Sequence, residues 1–322
     1  MTDQIFVGVD VAKDWLDIHH ASHGPTRISN SPPAARSFAA RCAKEGAWVV
    51  FEASGGYDHQ LRDALESAQV RFSRINPRQA RDFAKAMGVI GKTDRVDARM
   101  LAELGARLTP APSQPLPPER RALQAQATRR RQLVEMRKQE TTRLQQTADP
   151  MARADIRGVI ALLDRRIAKI EARMTKLVAA NPELAAIDRR LRTAPGVGPI
   201  VAATLIAELP ELGQIDRRSI AALAGLAPIA RDSGRRSGPR SIGGGRPIVR
   251  TILYLAALQA SRRAPEFIHF REHLQAAGKP VKAAIIATAR KLVVTLNAML
   301  ASGPSLTVKR HTFRIANSKS LI

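Results

Sequence analysis

The chain has 322 residues, and its 52 Lys and Arg against 28 Asp and Glu give a formal charge of +24. A hydrophobic share of 44% excludes broad disorder and allows two domains with cores of their own, while the charge points to a polyanionic partner, because neutralising phosphates releases condensed counterions. Aromatic residues at 4% argue against a base-stacking single-strand platform as the main binding mode, and a single cysteine, Cys42, excludes a disulfide framework or a cysteine zinc site within one chain.

Residues 5–107 read as alternating strands and helices. Ile5 to Val9 is a β-rich run ending at Asp10, and Trp15 to His19 alternates as a half-buried strand does. Thr26 to Ile28 is a third, short strand, closed by Asn30 and Pro32. A helix over Ala34 to Lys44 follows, then a buried strand, Ala47 to Phe51, ending at Glu52. Tyr57 to Ala68 is helical, Val70 to Ile75 a strand, Pro77 to Lys85 a helix, and Asp94 to Leu108 a helix with Thr93 placed as its N-cap. Three strands, then helix, strand, helix, strand, helix is the order of an RNase H-like α/β domain.

Pro110, Pro112, Pro115, Pro117 and Pro118 make residues 109–118 a semi-rigid linker over the surface. From Glu119 to Val178 the chain is helical and charged, with a turn at Ala148, Asp149 and Pro150. Ile156, Ile160, Leu163, Ile167, Ile170, Met174 and Leu177 step by four and three, the seam of a coiled coil. That stripe suits a dimerising coiled coil or an intramolecular helical hairpin, and the dimer is the preferred reading. Residues 183–303 are mostly helical. Within them Pro195-Gly196-Val197-Gly198-Pro199 has the signature of a helix-hairpin-helix turn, which offers backbone N–H groups of Gly196 and Gly198 to a phosphate; a plain turn between packed helices is the alternative. A polar loop from Arg231 to Gly245 precedes two long apolar helices, Ile248 to Ala260 and Pro280 to Leu300, and residues 304–322 form a basic tail. The expected fold class is α/β plus all-α: an RNase H-like domain over 1–108, the linker 109–118, coiled-coil helices over 119–182, a helical domain over 183–303, and the tail. The N-terminus lacks a signal-peptide pattern and no apolar run approaches the ~20 residues of a membrane span. A cytoplasmic protein with no membrane partner is expected.

Four acids stand out. Asp10 and Glu52 end strands that are neighbours in an RNase H-like sheet, which would bring both carboxylates to one rim. Asp94 and Asp97 are three apart at a helix start, hence on one face. Acids grouped in so basic a chain need neutralising, and phosphodiester cleavage uses two hard divalent ions held by carboxylates. Mg2+ or Mn2+ is the expected cofactor. Each acid taken singly could instead be a surface residue, and Asp94 and Asp97 could be ordinary helix-start acids favoured by the dipole.

Gly8 to Lys13, Phe51 to Tyr57 and Lys92 to Ala98 are similar to the three N-terminal motifs of the DEDD transposases, insertion-sequence recombinases with a RuvC-like domain, related to the pilin-gene invertases. Pro195 to Gly198, and Ala222 to Pro228 through Asp232-Ser233-Gly234, resemble the second domain of the same family. The resemblance spans nearly the whole chain in motif order. It implies that Asp10, Glu52, Asp94 and Asp97 are metal ligands. It implies that Ser233 is a nucleophile joining covalently to DNA, a choice that composition cannot make over Ser237 or Ser241. It further implies guidance by a structured non-coding bridge RNA that pairs with double-stranded donor and target DNA. It implies assembly to a tetramer in which the acids of one subunit meet the serine of another. Arg231, Arg235, Arg236, Arg240 and Arg246 surround that serine and could hold a phosphate bidentately. Two other functions fit part of the pattern. A RuvC-like Holliday junction endonuclease using metal-activated water needs only the acids, and a non-enzymatic nucleic-acid binder needs only the charge, the turn and the coiled coil.

Overall fold

The computed structural model describes residues 4–53, 55–89, 94–230, 238 and 240–302, without the side chains of Asp94 and Arg95. The chain divides into two compact units, Met1–Pro115 and Leu116–Ile322.

The first unit is built on one five-stranded sheet of β1 (Phe6–Val11), β2 (Trp15–His20), β3 (Gly24–Ser29), β4 (Trp48–Glu52) and β5 (Phe72–Ile75), in the order β3-β2-β1-β4-β5. The first three strands are an antiparallel meander, and β4 and β5 run parallel to β1. Parallel neighbours need crossover helices. These are α1 (Pro32–Glu45), which Pro32 starts and Gly46 ends in the left-handed region, and α2 (His59–Ser67). Helices α3 (Pro77–Ala86) and α4 (Asp94–Leu108) follow. Strand and helix order are consistent with an RNase H-like domain.

Side-chain parity decides what each sheet face carries. Val7, Val9 and Val11 of β1, with Leu16 and Ile18 of β2, pack with Phe38 of α1 and Leu61 of α2. The other parity, Phe6, Trp48 and Val50, packs with Leu101 and Leu104 of α4 and Phe83 of α3. β1 is therefore covered on both faces, as its unbroken apolar character requires.

The Pro-rich stretch is pinned at its start. Ser113 N–H donates to the Phe72 carbonyl at 2.7 Å, and Ser113 Oγ accepts from Arg74 N–H at 2.9 Å. Ser73 Oγ lies 3.0 and 2.9 Å from the carbonyls of Pro110 and Ala111. The stretch thus covers the open edge of β5, where unpaired backbone would otherwise invite strand addition.

The second unit begins with α5 (Pro118–Gln146) and α6 (Pro150–Ala180), turned at Asp149, whose side chain caps α6 by accepting from Ala152 N–H at 2.7 Å. Ion pairs Arg130–Glu171 at 2.7 Å and Arg137–Asp164 at 2.5 Å keep a constant residue sum, so the two helices run antiparallel as a hairpin. α5 of the same chain lies along α6, the arrangement that an intramolecular hairpin describes. Leu123, Ala127, Met174 and Val178 at the hairpin base join the core of the helices that follow. Those are α7 (Pro182–Leu191), α8 (Pro199–Glu208), α9 (Arg217–Leu223), α10 (Pro247–Arg263), α11 (Pro265–Ala276) and α12 (Val281–Ala301). Besides α11, two features depart from the sequence reading. A two-stranded ribbon, β6 (Pro228–Ile229) with β7 (Ser241–Ile242), closes the base of the polar loop. And α12, 21 residues with mean hydropathy 1.5, is long and apolar enough to cross a bilayer. Here Ala284, Ile285, Ala289, Leu292, Val293 and Leu296 bury it in the core, and Asn297 bonds to the Ile215 carbonyl at 2.7 Å.

Candidate active site

The β1–β4 register pairs Phe6 with Trp48 and Val9 with Phe51. One further step along the same register sets Asp10 abreast of Glu52, on adjacent strands about 4.8 Å apart. Both share the parity of Phe6 and Val50, so both carboxylates lie on the sheet face that α4 covers. Each is half-buried.

Two glycines fix how α4 crosses that face. A Cβ on Gly105 would sit 2.6 Å from the Phe6 ring and 2.9 Å from Val50, and one on Gly8 would meet Ala98 and Ala102. Going from Phe6 to Gly8 along β1 therefore goes backwards along α4. Two strand residues advance about 6.8 Å, which matches about four to five helical residues. The next step, to Asp10, reaches the first turn of α4, where Asp94 and Asp97 stand. Asp97 precedes Leu101 by one turn and lies on the same stripe, which packs over β4 toward Glu52. Asp94 is the first residue of α4, one turn before Ala98. Among the described residues, Asp10, Glu52 and Asp97 are not grouped as a set that could hold a single ion. A rim that serves two ions about 4 Å apart is wider than a single-ion site. Each of the three has a further interaction partner. Carboxylate oxygens are the donor type that hard divalent ions take, so by donor chemistry these residues suit Mg2+ or Mn2+. Thr93, the expected N-cap, lies outside the described residues.

The sequence reading missed a fifth acid. Asp17 is the cross-strand partner of Asp10 and is only 3% exposed. Arg27 on β3 holds it bidentately, Nε to Oδ1 at 2.9 Å and Nη2 to Oδ2 at 2.8 Å. The signal lies in the alternation, which puts Asp17 on the face of Trp15 and His19, not among the apolar residues. One row back, His19 faces Arg99 and Glu103 of α4, and burial together with Arg99 pushes its imidazole down, toward the neutral form.

In the second unit, Ser233, Ser237, Arg231, Arg235 and Arg236 lie outside the described residues. Ser241 is in β7, opposite Ile229, and Arg240 is exposed beside it. Arg246, expected at a phosphate, is paired with an acid in the free chain. Its Nη1 and Nη2 each lie 2.6 Å from Glu211 oxygens, and Nη1 also donates to the Glu208 carbonyl at 2.9 Å. These bonds tie the start of α10 to the end of α8. Burial pushes the Glu211 carboxyl up, but the hydrogen bonds and charge of Arg246 more than offset it and hold the group below the usual carboxylate range.

The two glycines of the α7–α8 turn have different surroundings. Gly196, at φ +79°, lies against the α10 backbone at Ala256 and Ala260, whereas Gly198, the N-cap of α8, has open space where a Cβ would go. Beside them is a concavity of about 480 Å3, lined in part by Arg192, Gln259 and Arg263. Helix start and arginines together give it an electropositive wall.

Both halves of the chain are similar to known transposase families. A DEDD-type transposase family matches residues 7–151, and the family described as Transposase IS116/IS110/IS902 matches residues 188–272. The chain is 27% identical over 311 residues to a pilin gene-inverting protein of Moraxella lacunata, covering 92% of this chain and 95% of that one. The pilin gene-inverting protein of Moraxella bovis is similar to the same extent, 27% over 311 residues. Both halves of the chain thus match one family in order, and the chain belongs to the IS116/IS110/IS902 family of transposases.

Proposed function

We propose that the chain recombines double-stranded donor and target DNA through a metal-dependent, covalent serine–DNA intermediate. The observation that carries this reading is the seating of α4 antiparallel to β1, which brings its first turn over the strand ends bearing Asp10 and Glu52. Asp10, Glu52, Asp94 and Asp97 would hold Mg2+ or Mn2+ in the acid-bearing domain, residues 1–108. Ser233, in the domain spanning 183–303, would be the nucleophile. Divalent ions bound at the acids supply charge neutralisation at the entering and leaving oxygens of the phosphodiester. Ser233 Oγ bonds to phosphorus as a strand P–O bond breaks; the hydroxyl proton leaves and the released strand oxygen gains one. Attack by the hydroxyl of a second strand reverses the exchange and frees the serine, so no net bond energy is consumed. Arg231, Arg235, Arg236 and Arg240 would hold the phosphate, with Gly196 and Gly198 binding backbone elsewhere on the nucleic acid.

The family resemblance and the +24 charge support a bridge RNA as a further partner. With α6 already paired to α5, a dimer that assembles to a tetramer would use other surfaces, and exposed Val134, Met136, Met151 and Leu162 on the hairpin suit that. The protein would act in the cytoplasm, at the nucleoid.

The test is a denaturing gel of protein incubated with donor DNA, target DNA, the co-purifying RNA and Mg2+. A covalent adduct mapping to Ser233, lost in Ser233→Ala and in Glu52→Gln, is expected. Cleavage of a four-way junction with no adduct would instead establish a RuvC-like endonuclease, and absence of any Mg2+-dependent effect would leave only binding.

A further inference from the structure

A second cluster of metal-ligating side chains lies away from the acids. His20 is the last residue of β2, His23 sits in the turn that follows, and Glu45 is the last residue of α1. Each imidazole engages its own oxygen of one carboxylate, His20 Nε2 to Oε2 at 2.9 Å and His23 Nε2 to Oε1 at 3.2 Å. The two rings lie 4.4 Å apart between centroids, and one donor atom from each of the three residues falls within 4.8 Å of the others. Among the described residues, no other group of three histidine, cysteine or acidic side chains converges so closely.

The position separates this cluster from the acid rim. His20 pairs with Val7 near the start of β1, whereas Asp10 pairs with Asp17, three residues further along. His20 also has the parity of Leu16 and Ile18, so it lies on the α1 side of the sheet and Asp10 on the α4 side. The His20 side chain is 9% exposed and that of His23 56% exposed, which gives the cluster a fixed inner ligand and an open outer one.

We propose that His20, His23 and Glu45 form a binding site for a zinc-class transition ion, clamping the β2–β3 turn to the C-terminal end of α1. Two imidazoles and a carboxylate with an open fourth position are a donor set that Zn2+ takes in tetrahedral geometry, while Mg2+ prefers six oxygens. One adjustment accompanies binding. Ser22 N–H donates to His20 Nδ1 at 3.1 Å, so in the free protein the ring proton is on Nε2, facing Glu45. Coordination through Nε2 moves that proton to Nδ1 and releases the Ser22 amide. Ser22 is exposed in a three-residue turn and can turn that amide to water.

The test uses the untagged full chain in millimolar Mg2+, with Co2+ as the spectroscopic probe. One equivalent should bind with the intense visible bands of a tetrahedral ion, be displaced by Zn2+, and raise the melting temperature. His23→Ala, at an exposed position that the fold does not depend on, should weaken binding by at least about tenfold, as should Glu45→Gln. Asp10→Asn should leave the bands intact. Amide exchange at Ser22 should quicken on loading. Only weak six-coordinate bands, an unchanged spectrum in His23→Ala, or loss of the bands in Asp10→Asn would each overturn the assignment.

Discussion

Gly8 of β1 and Ala98 of α4 approach so closely that a Cβ at position 8 would overlap the Ala98 carbonyl oxygen and come within 2.5 Å of the Ala102 nitrogen. The obstacle is helix backbone, which cannot swing aside as a side chain can. Gly8→Ala should therefore lift α4 from β1, at a cost of about 1–3 kcal/mol by overpacking. Because the first turn of α4 carries Asp94 and Asp97, the same change should lower Mg2+-dependent strand cleavage more than it lowers DNA binding. Urea unfolding read alongside cleavage and binding assays checks this; wild-type values in all three would show that α4 is not seated by Gly8.

The Asp17–Arg27 pair makes a second prediction. Asp17 is buried directly across from Asp10, and like charges on facing strands destabilise a sheet unless a cation intervenes. Arg27→Met should destabilise the domain by roughly 1–2 kcal/mol, discounted because the arginine is itself half-exposed. Asp17→Asn removes the charge that Arg27 answers, so adding Arg27→Met to it should cost little more. A double-mutant cycle in denaturant measures the coupling, and simple additivity would mean that the guanidinium contributes nothing specific.

How much of the fold is legible in the sequence depends on what each feature rests on. Strand and helix order in the first unit is legible because Pro32, Gly46, Asn76 and Pro77 mark element ends and the apolar runs between them are short. Grouping of Asp10 with Glu52 is legible too, since both close strands that a known order makes neighbours. Seating of α4 is not: it turns on Gly8 and Gly105, which in one dimension look like any glycines in apolar stretches. Asp17 escapes notice because strict alternation suggests a solvent-facing row, and nothing in the chain says that Arg27 will cover it. The α6 stripe reads the same whether its partner is another chain or α5, and only α5's position decides. The two-residue strands β6 and β7 are too short to show any period. In α11, Phe267 and Phe270 follow a proline without an extended stripe, so the pattern does not announce a helix. Residues His20, His23 and Glu45 are brought together by the β2–β3 turn and the length of α1, neither of which spacing reveals.

Glu211 provides a pH-dependent prediction. Its carboxyl is held below its ordinary value of 4.5 in the folded chain by Arg246. A folded value below the unfolded one stabilises the protein above the unfolded value, and that contribution disappears as pH falls through the folded value. Glu211→Gln should therefore be less stable than wild type by about 1 kcal/mol at neutral pH. The gap should stay level down to about pH 5 and close as the medium becomes more acidic. Thermal melts of both proteins across that range test it; a gap that widens on acidification would contradict the sign.

The α7–α8 turn separates packing from binding at two glycines with a single residue between them. At Gly196 a side chain would strike the Ala256 carbonyl, and its φ of +79° disfavours any residue with a Cβ. Gly196→Ala should accordingly destabilise the helical unit by about 1–3 kcal/mol whether or not nucleic acid is present. Gly198 has an extended backbone, φ −86° and ψ 178°, and nothing lies within 4 Å of the point where a methyl group would stand. Gly198→Ala should thus fold normally. Beyond a small capping cost to α8, any effect on nucleic-acid binding must arise at whatever approaches the start of α8 between Arg192 and Arg263. If a phosphate docks there, Gly198→Ala and Arg263→Ala should weaken DNA or RNA binding severalfold, and the Arg263 change should also reduce the salt dependence by about one counterion. Normal binding and an unchanged salt slope in both variants would make the turn a packing element, with Gly196 as its purpose.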